Sequence, residues 1–385
     1  MLDLIKFELY KIFSKKSVRT VLLLTVIFSM YGVFGESIYF KYKGLDSVND
    51  AYNIMKKYEG KTITQEGIDN ANNIIEDIVK KEESGKSLTK EELVYNQYLF
   101  EGLVSGETIY KICDEYYTLN EIENEISRIE KGDRVNTYEH KNLKYIYNKV
   151  KNEEEAKYHF NHGWLITTDF KVIVILISLL VVVGLAPLFS DEYQSNSAQI
   201  ILSCRRGKNK LVLSKILTGL IFTVIIFTII NSIFLISAWR YDFIGWDNPL
   251  ELFKYYRSTP FDMRIIDFYF VGLGISFIGA ILFALVTMLI SLLVKNNMMS
   301  LLLSLAIYYV PKFIGDFMPM DKIARVFTEI NIAEAIKVEG MFISPNTFNI
   351  LGSPVLYSTV LISLVVVFIP VVICLIKYFG KRQAI

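Results

Sequence analysis

The stretch 190–215 holds the residues of this sequence that are best suited to recognition chemistry. It is polar, it carries five positive charges, and it contains an apolar cluster that includes Ile201 and Leu202. A short amphipathic helix of this composition suits docking to a partner protein, because apolar side chains anchor an interface and charges surround them. If the basic residues served only to fix membrane topology, the apolar cluster would have no role.

Two histidines that precede this stretch, and the Gly-Lys pair within it, do not complete a catalytic motif. His159 and His162 are three residues apart, a spacing that can chelate a metal, but no carboxylate or Cys at ligand spacing completes the site. The phosphate loop G-x-x-x-x-G-K-S/T is absent, since Gly207 and Lys208 lack both the upstream Gly and the following hydroxyl. We therefore expect no metal, no catalytic residue and no ATP hydrolysis by this chain.

The elements that position these residues are membrane helices. Hydrophobic residues make up 52% of the 385 residues and aromatic residues 14%, more than a soluble core needs. Runs of about 20 apolar residues, enough to cross a hydrocarbon layer of about 30 Å, recur along the chain. We predict an all-α integral membrane protein with six transmembrane spans, of which the fifth is the weakest. The predicted spans are 18–40, 172–189, 216–239, 268–294, 298–317 and 355–376.

Charge distribution predicts the topology. With six spans, 14 Lys and Arg residues lie on the side of the termini and 8 lie in the short loops of the other side, which favours both termini in the cytoplasm. The segment 41–171 differs from the rest, with 19 basic and 25 acidic residues, and is predicted to be a helical extracellular domain.

Two patterns in this domain predict helices. Thr89 and Glu92 have the spacing of a capping box. Six apolar residues are spaced as one helix face: Ile112, Tyr116, Leu119, Ile122, Ile126 and Ile129.

Small residues recur every four positions in the fourth predicted span. Such a stripe lets another helix approach closely in a membrane, and we interpret it as a packing feature. Its members are Gly272, Ser276, Ala280 and Ala284.

A resemblance to a known family rests on the order of motifs around the second and third spans. Glu192 follows span two in Phe189-Ser-Asp-Glu192, an apolar pair and a basic turn come next, and Lys215 opens span three. This order resembles that of ABC type-2 permeases, the transmembrane subunits of bacterial ABC exporters. The segment 1–17 is similar to the interfacial elbow helix of that family, because it has one apolar face. That face consists of Leu2, Ile5, Leu9, Ile12 and Phe13.

The resemblance implies that this chain works with partners. A separate cytoplasmic subunit would bind ATP and Mg²⁺, and a second permease copy or a paired permease would complete the assembly in membrane lipid. We expect no nucleic-acid partner and no cofactor in this chain. The 130-residue insertion between spans one and two is similar to the subset with a large extracellular domain. The residues implied in coupling to the ATPase are Glu192, Ile201, Leu202, Arg205, Arg206, Gly207 and Lys215.

The function implied by the resemblance is export of a peptide, lipid or drug-like substrate across a bacterial cell membrane of the Gram-positive type. Two other classes stay open at this point. The chain could be a membrane-anchored sensor or assembly protein whose extracellular domain binds a partner. A secondary carrier or channel is disfavoured, because spans two, three, four and six contain no Asp, Glu, Lys or Arg.

Overall fold

The protein is predominantly helical and contains long apolar helices. A computed structural model describes residues 1–42, 48–99, 110–112, 115–132, 135–151, 157–195, 207–317, 326 and 328–382. Within these ranges, five helical segments are long and apolar enough to cross a membrane. They are Lys16–Gly35, His162–Gln194, Lys210–Arg240, Ile265–Val294 and Tyr357–Lys381. The chain is therefore an all-α membrane protein with two small hairpins.

In the described ranges, eight helices belong to the membrane part. The N-terminal helix α1 is followed by α2 after a break at Lys15, whose backbone is extended. The second long segment contains three helices, with breaks at Thr168 and Ala186, and the third helix has Pro187 at its first position, where proline costs no hydrogen bond. The helices are α1 (Leu2–Ser14), α2 (Lys16–Tyr42), α9 (Phe170–Leu185), α10 (Pro187–Gln194), α11 (Gly207–Arg240), α12 (Ile265–Val294), α13 (Asn297–Phe317) and α16 (Tyr357–Arg382).

The fifth predicted span corresponds to α13. This helix has 21 residues, but its apolar part, Asn297–Pro311, is shorter than the five long segments. Pro311 lies inside the helix, where it removes one backbone hydrogen bond. The structure thus supplies five candidate spans and one shorter apolar helix in place of six equivalent spans.

The outer segment forms two small apolar cores. One gathers Met55, Ile78 and Tyr98, and the other gathers Ile122, Leu143 and Ile146. The helices here are α3 (Val48–Met55), α4 (Gln65–Glu83), α5 (Lys90–Val94), α6 (Leu119–Glu130), α7 (Tyr138–Val150) and α8 (His162–Thr167). The capping box of Thr89 and Glu92 is confirmed at the start of α5.

The predicted helix face that begins at Ile112 is wrong in its first half. Tyr110–Ile112 (β1) and Glu115–Tyr117 (β2) form an antiparallel hairpin. Helix α6 begins only after Thr118, whose hydroxyl accepts the amide of Glu121 while the Glu121 carboxylate accepts the amide of Thr118. This second capping box fixes the helix start, so Ile112 and Tyr116 lie outside it.

Hydrogen bonds between described residues link the outer segment to the membrane helices. The hydroxyls of Tyr98 and Tyr241 lie 3.0 Å apart at the outer end of α11. Thr347 donates to Asn142 of α7 at 2.6 Å, from a hairpin formed by β3 (Thr347–Ile350) and β4 (Ser353–Leu356) just before α16. Hydrogen bonds between buried groups therefore connect the outer domain to the membrane bundle.

Between α13 and α16, the described part of the chain includes two short helices that pack against the bundle. They are α14 (Ile332–Lys337) and α15 (Gly340–Ile343). A Cβ atom on Gly279 of α12 would lie 2.9 Å from the backbone of Ala335, so this glycine allows the two backbones to touch. Glu339, which is buried, forms an ion pair of 3.1 Å with Lys171 at the start of α9. The stripe predicted to pack helices, Gly272, Ser276, Ala280 and Ala284, is buried along α12.

Candidate functional site

The candidate site is a cluster of ion pairs around Lys215, near the start of α11. The Lys215 side chain is 0% exposed, and its ammonium lies 2.8 Å from Glu192 and 3.2 Å from Glu8. It also donates to the carbonyl of Leu188 at 2.8 Å. An ammonium has three N–H donors, and these three acceptors match them in number.

Three separate helices position this cluster. Glu8 belongs to α1, Glu192 to α10 and Lys215 to α11. On α1, the buried residues are Ile5, Glu8 and Ile12, which share one face because they are three and four residues apart. The ring of Phe13 packs 5.3 Å from that of Phe222 on α11. Apolar contacts therefore hold α1 against α11 and direct Glu8 toward Lys215.

A second set of contacts extends the cluster to further helix ends beside it. Lys15 pairs with Asp191 at 2.9 Å, and the amide of Asn297 donates to the same carboxylate at 2.8 Å. Ser190 donates to the side-chain oxygen of Asn297. The hydroxyl of Ser291, on α12, accepts the backbone amides of Phe189 and Ser190 at 3.0 and 3.1 Å. Helices α1, α10, α11, α12 and α13 thus meet in one hydrogen-bonded network.

The charges of this network balance. Glu8, Glu192 and Asp191 face Lys215 and Lys15, and Lys11 lies 3.8 Å from Glu192. Two buried carboxylates without a counter-ion would be strongly destabilising in a low-dielectric interior. Because burial of an ion pair gives little net stability, the value of this arrangement is that it fixes which helices lie together.

Of the residues implied in coupling, the structure brings two together. Glu192 and Lys215 are paired, and Gly207 is the first residue of α11. Ile201, Leu202, Arg205 and Arg206 lie outside the described residues. The ends of the stretch 190–215 are helical, because Ser190 belongs to α10 and Leu211 to Lys215 belong to α11. Residues 196–206 of the stretch lie outside the described residues.

Glu8 is the site residue that sequence reasoning missed. The sequence pattern describes the N-terminal helix by its apolar face and does not single out Glu8. A signal was present, since Glu8 lies three residues after Ile5 and four before Ile12, on the apolar face of the helix. An acid on an apolar face needs a buried partner, and Lys215 is that partner.

The two histidines have different surroundings. His159 lies 2.8 Å from Glu59, a residue 100 positions away, and His162 packs edge-on against Tyr98 with ring centroids 4.6 Å apart. Among the described residues, no group of three or more His, Cys, Asp and Glu side chains could hold a metal ion.

Comparison with known proteins adds no assignment to this geometry. The sequence matches no protein-family model, and a search of curated proteins finds no match either.

Proposed function

We propose that this chain is the membrane-spanning permease subunit of an ATP-binding-cassette transporter, exporting a peptide, lipid or drug-like substrate with a separate ATPase subunit. The observation that carries the proposal is the ion pair between Glu192 and Lys215. These residues stand on either side of the loop 196–206, and their charged groups are 2.8 Å apart. The two helices that flank this segment are therefore joined at one buried point.

Such a connection suits transmission of force. A partner that pushes on the loop displaces α10 and α11 together, because separating Glu192 from Lys215 would leave charges unpaired in the interior. Glu8 adds α1 to this moving unit, and Asn297 adds α13 through Asp191. Coupling between a nucleotide site in a partner and a membrane pathway requires two arrangements of the helices. The helices joined at this cluster would move as one unit between those arrangements.

In this proposal the chain has six spans, and both termini are cytoplasmic. Helix α13 is the fifth of these spans, added to the five long segments, and its 21 residues give a length of about 31 Å at 1.5 Å per residue. Helix α1 acts as the elbow helix along the cytoplasmic surface, with Leu2, Phe7 and Tyr10 exposed to lipid headgroups. A second permease copy or a paired permease completes the assembly.

The test is purification of the tagged chain from its native membranes in mild detergent, with identification of co-purifying proteins. We expect an ATP-binding-cassette protein and Mg²⁺-dependent ATP hydrolysis in the complex, and no hydrolysis by the chain after the partner is removed. The same purification from cells that express the tag on an unrelated membrane protein is the control. Hydrolysis by the pure chain at the rate of the complex would contradict the proposal.

A second candidate is a sensor whose outer domain binds a ligand or protein. A cavity of about 340 Å³ in that domain favours it. The cavity is lined by aromatic and polar side chains that include Tyr58, Lys61 and Tyr158. The same purification separates the two candidates, since a sensor would co-purify with a signalling or assembly protein and no ATPase.

A further inference from the structure

The buried side chains of helix α13 carry hydroxyl groups, whereas its exposed side chains are mostly apolar, with Tyr309 as an exposed exception. Ser300, Ser304 and Tyr308 are buried, four residues apart, and therefore share one face. They are the buried residues among the α13 side chains that the structure describes, and all three carry hydroxyls. The exposed face carries large apolar residues, namely Met298, Met299, Leu302, Leu303, Ile307, Val310 and Phe313.

Neighbouring helices add hydroxyls to the same interface. Helices α9, α12 and α13 contact one another, and Ser178 of α9 and Thr287 of α12 are both 0% exposed. Tyr308 is hydrogen-bonded to Ser178, and its ring packs 5.5 Å from that of Phe283 on α12. At 1.5 Å rise per residue, Ser300, Ser304 and Tyr308 lie about 4.5, 10 and 16 Å along the helix from Asn297. We call this series, with Ser178, Thr287 and Ser291, the hydroxyl track.

Three hydroxyls of the track lack a partner. The side-chain oxygens of Thr287, Ser300 and Ser304 are buried and form no hydrogen bond with any described residue. An unpaired hydroxyl in an apolar interior costs free energy, and Ala or Val would pack these helices without that cost. These three groups therefore point to a hydrogen-bonding ligand that the closed arrangement of the helices does not contain.

The chemistry of the track defines that ligand. Hydroxyls both donate and accept hydrogen bonds, and the six track residues include no charged side chain that would neutralise an ion. We infer that α9, α12 and α13 separate to form a hydrated path for uncharged hydrogen-bonding groups, such as the amides or hydroxyls of an amphiphilic substrate. The apolar part of such a substrate stays against the bilayer.

The inner end of the track is connected to the ion-pair cluster. Asn297 at the start of α13 bonds both Ser190 and Asp191, and Ser291 bonds the backbone beside Glu192. Pro311, three residues beyond Tyr308, leaves the carbonyl of Ile307 without its helical donor and provides a point where α13 can bend. Movement of the ion-pair cluster would therefore move α13. This step rests on the proposed function, whereas the hydration of the track is independent of it.

The experiment is cysteine accessibility in membranes. Ser300→Cys and Ser304→Cys are introduced after Cys113, Cys204 and Cys374 are replaced by Ser. The neutral reagent 2-hydroxyethyl methanethiosulfonate is applied with and without Mg²⁺ and ATP. Leu303→Cys, one position away on the lipid-facing side of α13, is the matched control. Because these reagents attack thiolates, which form in water and not in lipid, we expect both track cysteines to react at least about tenfold faster than the control.

Two outcomes would overturn the inference. The first is that the track cysteines react as slowly as Leu303→Cys, both with and without Mg²⁺ and ATP, while Ser87→Cys on the outer domain is labelled. This result would show that the interface contains no water. Reaction with an anionic sulfonatoethyl reagent as fast as with the neutral one would contradict the assignment to uncharged groups. Absence of an ATPase partner would refute the proposed function, but it would not change the labelling of the track cysteines without nucleotide. Failure of the proposed function and failure of the hydroxyl track are therefore distinguishable.

A second measurement uses the unsubstituted chain, in case the cysteine variants do not insert. Hydroxyl radicals generated by X-ray pulses oxidise side chains beside bound water. Tyr308 should be oxidised faster than Phe222, which is also buried in the bundle, after correction for intrinsic reactivity. Equal rates would contradict hydration of the track.

Discussion

Glu8 and Lys215 are 207 residues apart in the sequence, and their charged groups lie 3.2 Å apart in the buried cluster. Glu192 lies on the other side of the same ammonium. The N-terminal helix is therefore part of the structural unit that would face a cytoplasmic partner. This relationship leads to the first prediction, which concerns the stability of the cluster.

Replacing Lys215 by Met should destabilise the protein by about 3–5 kcal/mol, because Glu8 and Glu192 would be left buried without a counter-ion. The triple variant Lys215→Met, Glu8→Gln, Glu192→Gln should recover part of that loss, since it removes all three charges. Lys210→Met, in the same helix at an exposed position, is the control and should have little effect. Thermal unfolding in detergent measures the difference. A Lys215→Met melting curve equal to that of Lys210→Met would show that the ion pairs do not hold the helices.

Gly279→Ala should destabilise the bundle by about 1–3 kcal/mol, because the new methyl group would lie 2.9 Å from the backbone of Ala335 and force α12 and α14 apart. Gly274→Ala is the matched control in the same helix, where no atom lies within 4 Å of the added Cβ. That change should be neutral or slightly stabilising, as expected for Ala in a helix. Thermal unfolding of the two variants tests the contact, and equal curves would refute it.

The start of α5 should weaken in acid. A hydrogen bond from Lys81, with further bonds from Thr89, lowers the pKa of Glu92 from 4.5 to about 2. A carboxyl group whose pKa is lowered by folding stabilises the fold above its unfolded pKa, and that contribution is lost as pH falls from about 4.5 toward 2. In the wild type, the backbone amides of Leu93 and Val94 should lose protection from hydrogen exchange over this pH range. In Glu92→Gln, measured at the same pH values, their protection should change less.

The control for this pH experiment is Glu83→Gln, which removes an exposed carboxylate near the end of α4 and leaves Lys81 and Thr89 in place. It should keep the wild-type dependence. If Glu92→Gln and the wild type show the same change in exchange between pH 4.5 and 2, the capping box does not contribute to the acid sensitivity.

Topology gives a fourth prediction. In a background without the native cysteines, Ser87→Cys should react with an impermeant maleimide from outside intact cells, and Ser197→Cys should react only after the membrane is opened. The physical reason is the excess of Lys and Arg beside the termini and the loop 196–206. Labelling of both positions from outside would contradict six spans with cytoplasmic termini.

The sequence predicted the membrane helices well where apolar runs are long, because hydropathy over about 20 residues reports directly on burial in lipid. It was less informative for α13, whose inward face carries Ser300 and Ser304 and whose apolar part ends at Pro311. The spacing of apolar residues also predicted a helix that begins at Ile112. Ile112 and Tyr116 are four residues apart, which fits one helix face, but both lie in the hairpin that precedes the cap at Thr118. The capping box at Thr118 was the local signal that separates the hairpin from the helix.

The site was only partly predictable for a different reason. Glu192 and Lys215 were found through the resemblance, whereas their direct contact and the role of Glu8 depend on how α1 packs against α11. Such pairings between distant segments leave no periodic signal in one sequence. A carboxylate on an apolar face indicates that a partner exists, but it does not say which of 41 Lys and Arg residues is the partner.

The central claim is that the loop 196–206 is where a cytoplasmic ATPase docks, and the most direct measurement is retention of that ATPase by two double variants. Ile201→Ala with Leu202→Ala removes the apolar anchors, each worth about 2 kcal/mol in a typical interface, and Arg205→Ala with Arg206→Ala removes rim charges that act mainly on association rate. Chains purified from native membranes are compared for bound partner and Mg²⁺-dependent ATP hydrolysis. We predict loss of both in the apolar variant, normal membrane insertion, and a milder, salt-dependent loss in the arginine variant. Full partner retention and hydrolysis in the apolar variant, with misinsertion of the arginine variant, would contradict the claim.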